Sequence, residues 1–224
     1  MTNFLKERIY KRYNISFSKS GDDVHLMKLI GENTPGAYVD IGSWNPVKTS
    51  NTYYFYLRNW KGICIDPNPE LRELYRKHRN RDTFLNNGIG DPGEVKKYFM
   101  LNDPYSSLNT FSFDFLRRNK VESHIKDTKD IPLTSLEVVL DKHLKSTDRL
   151  DFFDVDVEGY DLEALKTNNW DKYRPKVILV ETNSPLRMDI NSEIAEYLGD
   201  QEYELVGKSV ISGDLGNLFF RRNG

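Results

Sequence analysis

Apolar residues in this chain come in two rhythms. Short, nearly continuous apolar runs occupy residues 37–41, 62–66, 83–87, 150–158 and 176–183. Runs of that kind suit strands buried on both faces of a parallel sheet. Between them lie stretches with helical period. At 69–80, Leu71, Leu74 and Tyr75 form an apolar stripe with basic residues outward, and 113–120, 136–144, 161–168 and 189–198 also read as helices. Residues 24–30 predict another helix, begun by the N-cap types Ser20, Asp22 and Asp23. Strand alternating with helix means an α/β fold with a doubly wound sheet, because parallel neighbours need a crossover. The end of the chain breaks the alternation. Strands at 203–210 and 218–222 follow one another without a helix, so they must form an antiparallel hairpin.

The rest of the pattern is less regular. Residues 95–100 and 130–134 read as extra β segments, and 102–112 as a long polar loop. Residues 52–59 crowd Tyr53, Tyr54, Phe55, Tyr56 and Leu57 together, and no helix buries all of these on one face. Phe4, Leu5, Arg8, Ile9 and Arg12 share a loose helical stripe. The expected organisation is an N-terminal helical segment or lid at 1–35, then a ligand-binding domain at 36–224.

Composition changes this picture little. A chain of 224 residues is long enough for one full α/β core. Its net charge of −2, with Lys and Arg scattered, argues against a nucleic-acid surface. Cys64 is the sole cysteine and lies in an apolar run, which suits core packing. No apolar run approaches a membrane span and no signal region opens the chain, so a cytoplasmic location is expected. A second copy of the chain is a candidate partner. His25, His78 and His143 sit where structural or solvated roles suffice.

Chemistry concentrates at strand ends, where open α/β sheets bind ligands. Asp40, Gly42 and Ser43 end the first run, and Asp66 ends the second some two dozen residues on, where such folds place a ribose-binding carboxylate. A dinucleotide would need G-x-G-x-x-G, but only its first glycine is present, and Trp44, Asn45 and Pro46 follow. Pro46 has no N–H to offer a phosphate. S-adenosylmethionine has a ribose and adenine, no phosphate, and a cationic end that suits Asp40. Asn51 lies near the next helix start, beside the cofactor tail. Asn86, Gly88 and Ile89, at the third strand's end, are placed to edge the adenine, with an ordinary Asn-Gly turn as the alternative. Period two puts Asp154, Asp156 and Glu158 on one side, a repulsive set unless the strand ends near Asp156 and Glu158 turns away. Glu181 and Asn183 end the fifth strand. Asp156, Glu158 and Glu181 are therefore the catalytic candidates. Two chemistries fit them: a general base for a hydroxyl, or an oxygen site for Mg²⁺ or Mn²⁺ built from Asp156, Glu181 and Asn183.

Three stretches together carry a family resemblance. They are Val-Asp-Ile-Gly-Ser-Trp-Asn-Pro-Val-Lys-Thr-Ser-Asn-Thr-Tyr-Tyr at 39–54, Trp-Lys-Gly-Ile-Cys-Ile-Asp-Pro-Asn-Pro at 60–69 and Leu-Asp-Phe-Phe-Asp-Val-Asp-Val-Glu-Gly-Tyr-Asp-Leu-Glu-Ala-Leu at 150–165. In combination they resemble the FkbM family of S-adenosylmethionine-dependent methyltransferases. The resemblance implies a class I methyltransferase, Rossmann-like sheet with the C-terminal hairpin, and O-methylation of a sugar hydroxyl in a glycan precursor or nucleotide-linked sugar. It also places Gly21 and Asp22 near the cofactor, and Ser106, Ser107 and Asn109 beside the acceptor. The expected partner is a small-molecule or glycan acceptor. The rival readings are an NAD-dependent oxidoreductase and a non-catalytic protein that keeps the methyltransferase fold.

Overall fold

The computed structural model describes residues 15–31, 34–146 and 148–224. The helix expected within residues 1–17 falls almost wholly outside them. Seven strands form the main sheet: β1 (Ala37–Ile41), β2 (Lys61–Ile65), β3 (Thr83–Leu85), β7 (Leu150–Val155), β8 (Val177–Asn183), β9 (Tyr203–Ser212) and β10 (Leu215–Arg222). Their order is β3-β2-β1-β7-β8-β10-β9. The first five run parallel, and β10 inserts antiparallel between β8 and β9. This is the expected closing hairpin, with longer strands than the pattern suggested and a tight turn at Gly213 and Asp214. It is not the all-parallel sheet of a dinucleotide-binding dehydrogenase. A second, small sheet of β4 (Gly88–Ile89), β5 (Val95–Leu101) and β6 (Ile125–Thr134) flanks one end.

Alternation along β1 and β7 sorts side chains between two cores. Val39, Ile41, Phe153 and Val155 face one apolar cluster, closed by α5 (Leu136–His143), α6 (Asp161–Lys166) and α8 (Glu193–Asp200). Tyr38 and Phe152 face the other, closed by α1 (Asp22–Ile30), α2 (Tyr53–Tyr56) and α3 (Leu71–His78). Leu26 and Ile30 of α1 are buried in that second cluster, so α1 is part of the sheet's packing. The aromatic run at 52–59 divides as its crowding required. Phe55 stacks into the core against Phe152 at 4.6 Å between ring centroids, Tyr53 meets Phe17 edge-on at 5.0 Å, and Tyr54 lies under Arg58.

Two expected helices differ. The single helix at 189–198 is instead α7 (Leu186–Asp189) followed by α8, separated because Ser192 caps α8 by accepting from Ala195 N. The stretch at 69–80 shortens to α3, and its basic residues are not all outward. Arg79, just past its end, is 0% exposed. The long loop before α4 (Phe113–Asn119) contains a 3-10 turn at Ser106–Leu108.

Candidate active site

The sheet's C-terminal edge opens into a two-lobed cleft. Both lobes are lined by Gly42, Trp44, Ser107, Asp156 and Glu158. Those shared residues join the two lobes into one open cleft. Why the cleft forms here is visible at Gly42. Its φ of 86° and its packing exclude a side chain, because a Cβ there would stand 1.7 Å from the Asp156 carbonyl oxygen. Beside it, Gly42 N and Ser43 N donate to Ile65 O, and Asp156 N donates to Ile41 O. These bonds tie the ends of β1, β2 and β7 into one rim.

The first lobe is acidic. Asp22, Asp40, Asp154, Asp156, Glu158 and Glu181 line it, against Lys19 and Lys48. Asp40 and Asp154 are register partners on adjacent parallel strands. Burial pushes Asp40 up to about 6, although Arg79 and a Thr52 hydroxyl bond hold it down in part. Burial, then the charge of Asp40, pushes Asp154 well above the usual carboxylate range. Asn51 Nδ2 donates to Asp154 Oδ1 at 3.2 Å, and both residues line this lobe. Ser43 Oγ and Asp22 Oδ1 are buried in this lobe without hydrogen-bond partners. Polar atoms in that state are paired by an ordered water, an ion or a ligand.

The second lobe holds Asp66. Its Oδ2 accepts from Trp44 N at 3.1 Å, and its Oδ1 from Asn68 N at 2.8 Å and Tyr98 OH at 3.4 Å. Burial raises it to about 6 against those bonds. Ser106, Ser107 and Asn109 line this lobe too. Asn109 Oδ1 is already engaged by Leu101 N, and Thr110 Oγ1 donates to Glu158 O, so the loop is tied to the turn that carries Glu158. Asn86, Gly88 and Ile89 do not line either lobe. Asn86 Nδ2 instead donates to Asp66 O and Asn68 O, which holds the turn after β2. Gly88 packs against Leu133 and Phe111, and Ile89 is buried in the core. Asn86 Oδ1 is buried without a hydrogen-bond partner.

Asp156 and Glu158 stand where the lobes meet, with Glu181 on the first-lobe side, each offering an oxygen within 4.8 Å of the others. Strand β7 ends at Val155, as charge repulsion demanded, but Glu158 does not turn away. It sits at a left-handed φ of 53°, followed by Gly159 at 87°, and is 8% exposed. Asp161 fixes this turn by accepting from Val157 N and Gly159 N at 3.0 and 3.2 Å. All three carboxyls lie above their ordinary range. Glu181 is pushed up to about 7, by burial and then Asp161, with Lys19 opposing. Asp156 and Glu158 rise well above their usual range, by burial and then Glu181. Asn183 is exposed at the strand end and does not line the cleft. The third oxygen donor is Glu158, because the turn at 157–159 folds it back. Asp156 Oδ1 is buried without a partner. An all-oxygen donor set with an unmatched atom fits Mg²⁺ or Mn²⁺.

Comparisons with known proteins agree with this architecture. The methyltransferase domain of METTL16 superposes with a TM-score of 0.52 at 12% identity, covering 90% of this chain and 66% of that one. A 1,6-didemethyltoxoflavin-N1-methyltransferase from Burkholderia thailandensis, bound to its substrate and S-adenosylhomocysteine, aligns over 92% of this chain and 78% of its own, at 10% identity and a TM-score of 0.48. Curated protein sequences return no match. The profile of the methyltransferase FkbM domain matches residues 36–205, which contain the strand-end acids of both lobes. A class I methyltransferase sheet with its cleft at that edge, and a family match over most of its length, lead to one conclusion: the chain belongs to the FkbM methyltransferase family.

Proposed function

We propose that this protein transfers the methyl group of S-adenosylmethionine to a hydroxyl, on a sugar of a glycan precursor or nucleotide-linked sugar. The observation that carries the reading is the carboxylate group Asp156, Glu158 and Glu181 in an acidic cleft at the C-terminal edge of the sheet. A neutral hydroxyl is a poor nucleophile, so methylating it requires that its proton be taken or its acidity raised. The six carboxylates of the first lobe favour a ligand with a sulfonium and an ammonium. Asp66 is held by two backbone N–H groups in a pose that offers its remaining acceptor capacity to ribose hydroxyls. Membership of the FkbM methyltransferase family supports the same cofactor here.

In this reading the acceptor oxygen attacks the methyl carbon, and the C–S bond breaks with its electron pair left on sulfur. The proton passes to a carboxylate of the group, and Glu181, near half-ionised at pH 7, is the best poised. Asp156, Glu158 and Glu181 also fit a divalent cation, which when bound would lower the hydroxyl's pKa. Alignment of nucleophile, carbon and sulfur contributes much of the acceleration, and the braced turn at 157–159 serves it. The setting is cytoplasmic in this reading. Among the described residues no helix is long and apolar enough to cross a membrane.

Isothermal titration with S-adenosylhomocysteine, with and without Mn²⁺ and beside NAD, tests the cofactor. Binding of the first and not of NAD is expected. Methyl transfer to a panel of nucleotide sugars then tests the acceptor. Absence of S-adenosylhomocysteine binding would overturn the reading.

A further inference from the structure

We propose that the buried Arg79 is a positioning residue for the cofactor's ammonium end, acting through the Thr52 hydroxyl on Asp40. The inference rests on the cofactor reading above. Arg79 lies at the end of α3 and is 0% exposed, yet it spends every guanidinium nitrogen on named partners. Nε donates to Asp82 at 2.7 Å. Nη2 donates to Tyr38 OH at 2.6 Å and to Cys64 Sγ at 3.3 Å. Nη1 donates to Thr52 Oγ1 at 2.9 Å, Ser50 Oγ at 3.4 Å and Pro46 O at 3.5 Å. Thr52, also 0% exposed, then donates its own hydroxyl proton to Asp40 Oδ2.

A buried ion pair is a weak device for stability alone, since desolvating both charges offsets much of their attraction. Asp82 would suffice as its partner. The Nη1 contacts do something else: they grip both ends of the segment 46–52, which supplies Lys48, Thr49, Ser50 and Asn51 to the first lobe. Donation from Arg79 polarises the Thr52 hydroxyl, making it a stronger donor to Asp40. The result is a charge relayed to a carboxylate at 5% exposure that would otherwise favour its neutral form. An ionised, fixed Asp40 is what an ammonium needs. The groups acting on Asp40 from surrounding elements are Arg79, Asp82, Asp66, Cys64, Tyr75 and Asp154.

The test uses two ligands. S-Adenosylhomocysteine carries the amino-acid tail, whereas 5′-methylthioadenosine has the same adenine, ribose and thioether without it. Thr52→Val keeps the branched shape and leaves Arg79 with Asp82 and Tyr38. It is expected to weaken S-adenosylhomocysteine roughly tenfold at pH 7.5, the scale of one charge-assisted hydrogen bond, and to leave methylthioadenosine within about twofold. The loss should be pH-dependent. Wild-type affinity for S-adenosylhomocysteine falls as pH drops through about 6, where Asp40 takes up its proton. In Thr52→Val that midpoint moves to higher pH, while the methylthioadenosine profile, which reports Asp66, stays where it was. Arg79→Lys, which loses the forked contacts, should shift the S-adenosylhomocysteine midpoint in the same direction. Equal losses for both ligands, or an unmoved midpoint in Thr52→Val, would overturn this inference alone. Failure of the wild-type protein to bind either ligand would overturn the cofactor reading and this inference with it.

Discussion

Replacing Gly42 by Ala is the sharpest test of how the cleft is built. The added Cβ would lie 1.7 Å from the carbonyl oxygen of Asp156 and 2.7 Å from its carbonyl carbon, both backbone atoms. No rotamer relieves such a clash, so the ends of β1 and β7 must part by more than an ångström. Holding alanine at a φ of 86° costs about 1–2 kcal/mol by itself. Parting the strands breaks the Asp156 N to Ile41 O bond or the pair that Gly42 N and Ser43 N make to Ile65 O. Buried backbone groups left unpaired cost about 1–3 kcal/mol each. The total is roughly 3–5 kcal/mol, which for a chain of this size lowers Tm by ~10 °C. Because Asp156 moves with its backbone, methyl transfer should fall further than stability, by about a hundredfold for an ångström of misplacement. Differential scanning calorimetry and a single-turnover methylation assay on the same preparation read both effects. A Gly42→Ala protein whose Tm lies within about 2 °C of wild type, with unaltered turnover, would refute the close-approach argument.

Glu181→Gln should reduce the methylation rate by about 10²–10⁴-fold, the range of a lost general base, while S-adenosylhomocysteine still binds. In the wild type, kcat should rise with pH through about 7 and then level, as Glu181 gives up its proton; a profile flat from pH 6 to 8 would remove Glu181 as the base. Stability should run the other way. Asp40, Asp66 and Asp161 are raised to about 6 and Glu181 to about 7, above their unfolded values, so between about pH 4 and 7 the folded protein holds protons that the unfolded chain has released. The ligand-free protein is therefore expected to melt ~5 °C higher at pH 5 than at pH 8, and Mn²⁺ should narrow the gap; a higher Tm at pH 8 without ligand would contradict it. Lys208 and Asp189 form a nearly dry ion pair at 2.7 Å that clamps α7 to β9, so Lys208→Met should cost about 3–5 kcal/mol by stranding Asp189, with much of it recovered in a Lys208→Met, Asp189→Leu double variant. Chemical denaturation of the three proteins checks the recovery.

The sequence alone determined the local and periodic features of this protein. Continuous apolar runs of strand length, set between helical stretches, read as doubly covered strands, so β1, β2, β7 and β8 were legible, as was the hairpin forced by β9 and β10 lacking a crossover. Chain position at a strand end is also local, and it identified Asp40, Gly42, Ser43, Asp66, Asp156 and Glu181 as cleft residues. Tertiary structure decided whatever depends on a partner distant in sequence. Asn86, Gly88 and Ile89 have the right position for an adenine edge, yet Gly88 and Ile89 are buried in the adjoining small sheet and Asn86 Nδ2 is engaged by the turn after β2. Glu158 replaces Asn183 beside Asp156 because a two-residue left-handed turn, held by Asp161, reverses its direction. Periodicity read Arg79 as one more outward base on an amphipathic helix. It lies just past that helix, where the chain turns inward and Asp82, Tyr38 and Thr52 from three other segments meet it. A charge can be buried only where its counter-groups converge, and convergence is a property of the folded chain that residue spacing does not carry.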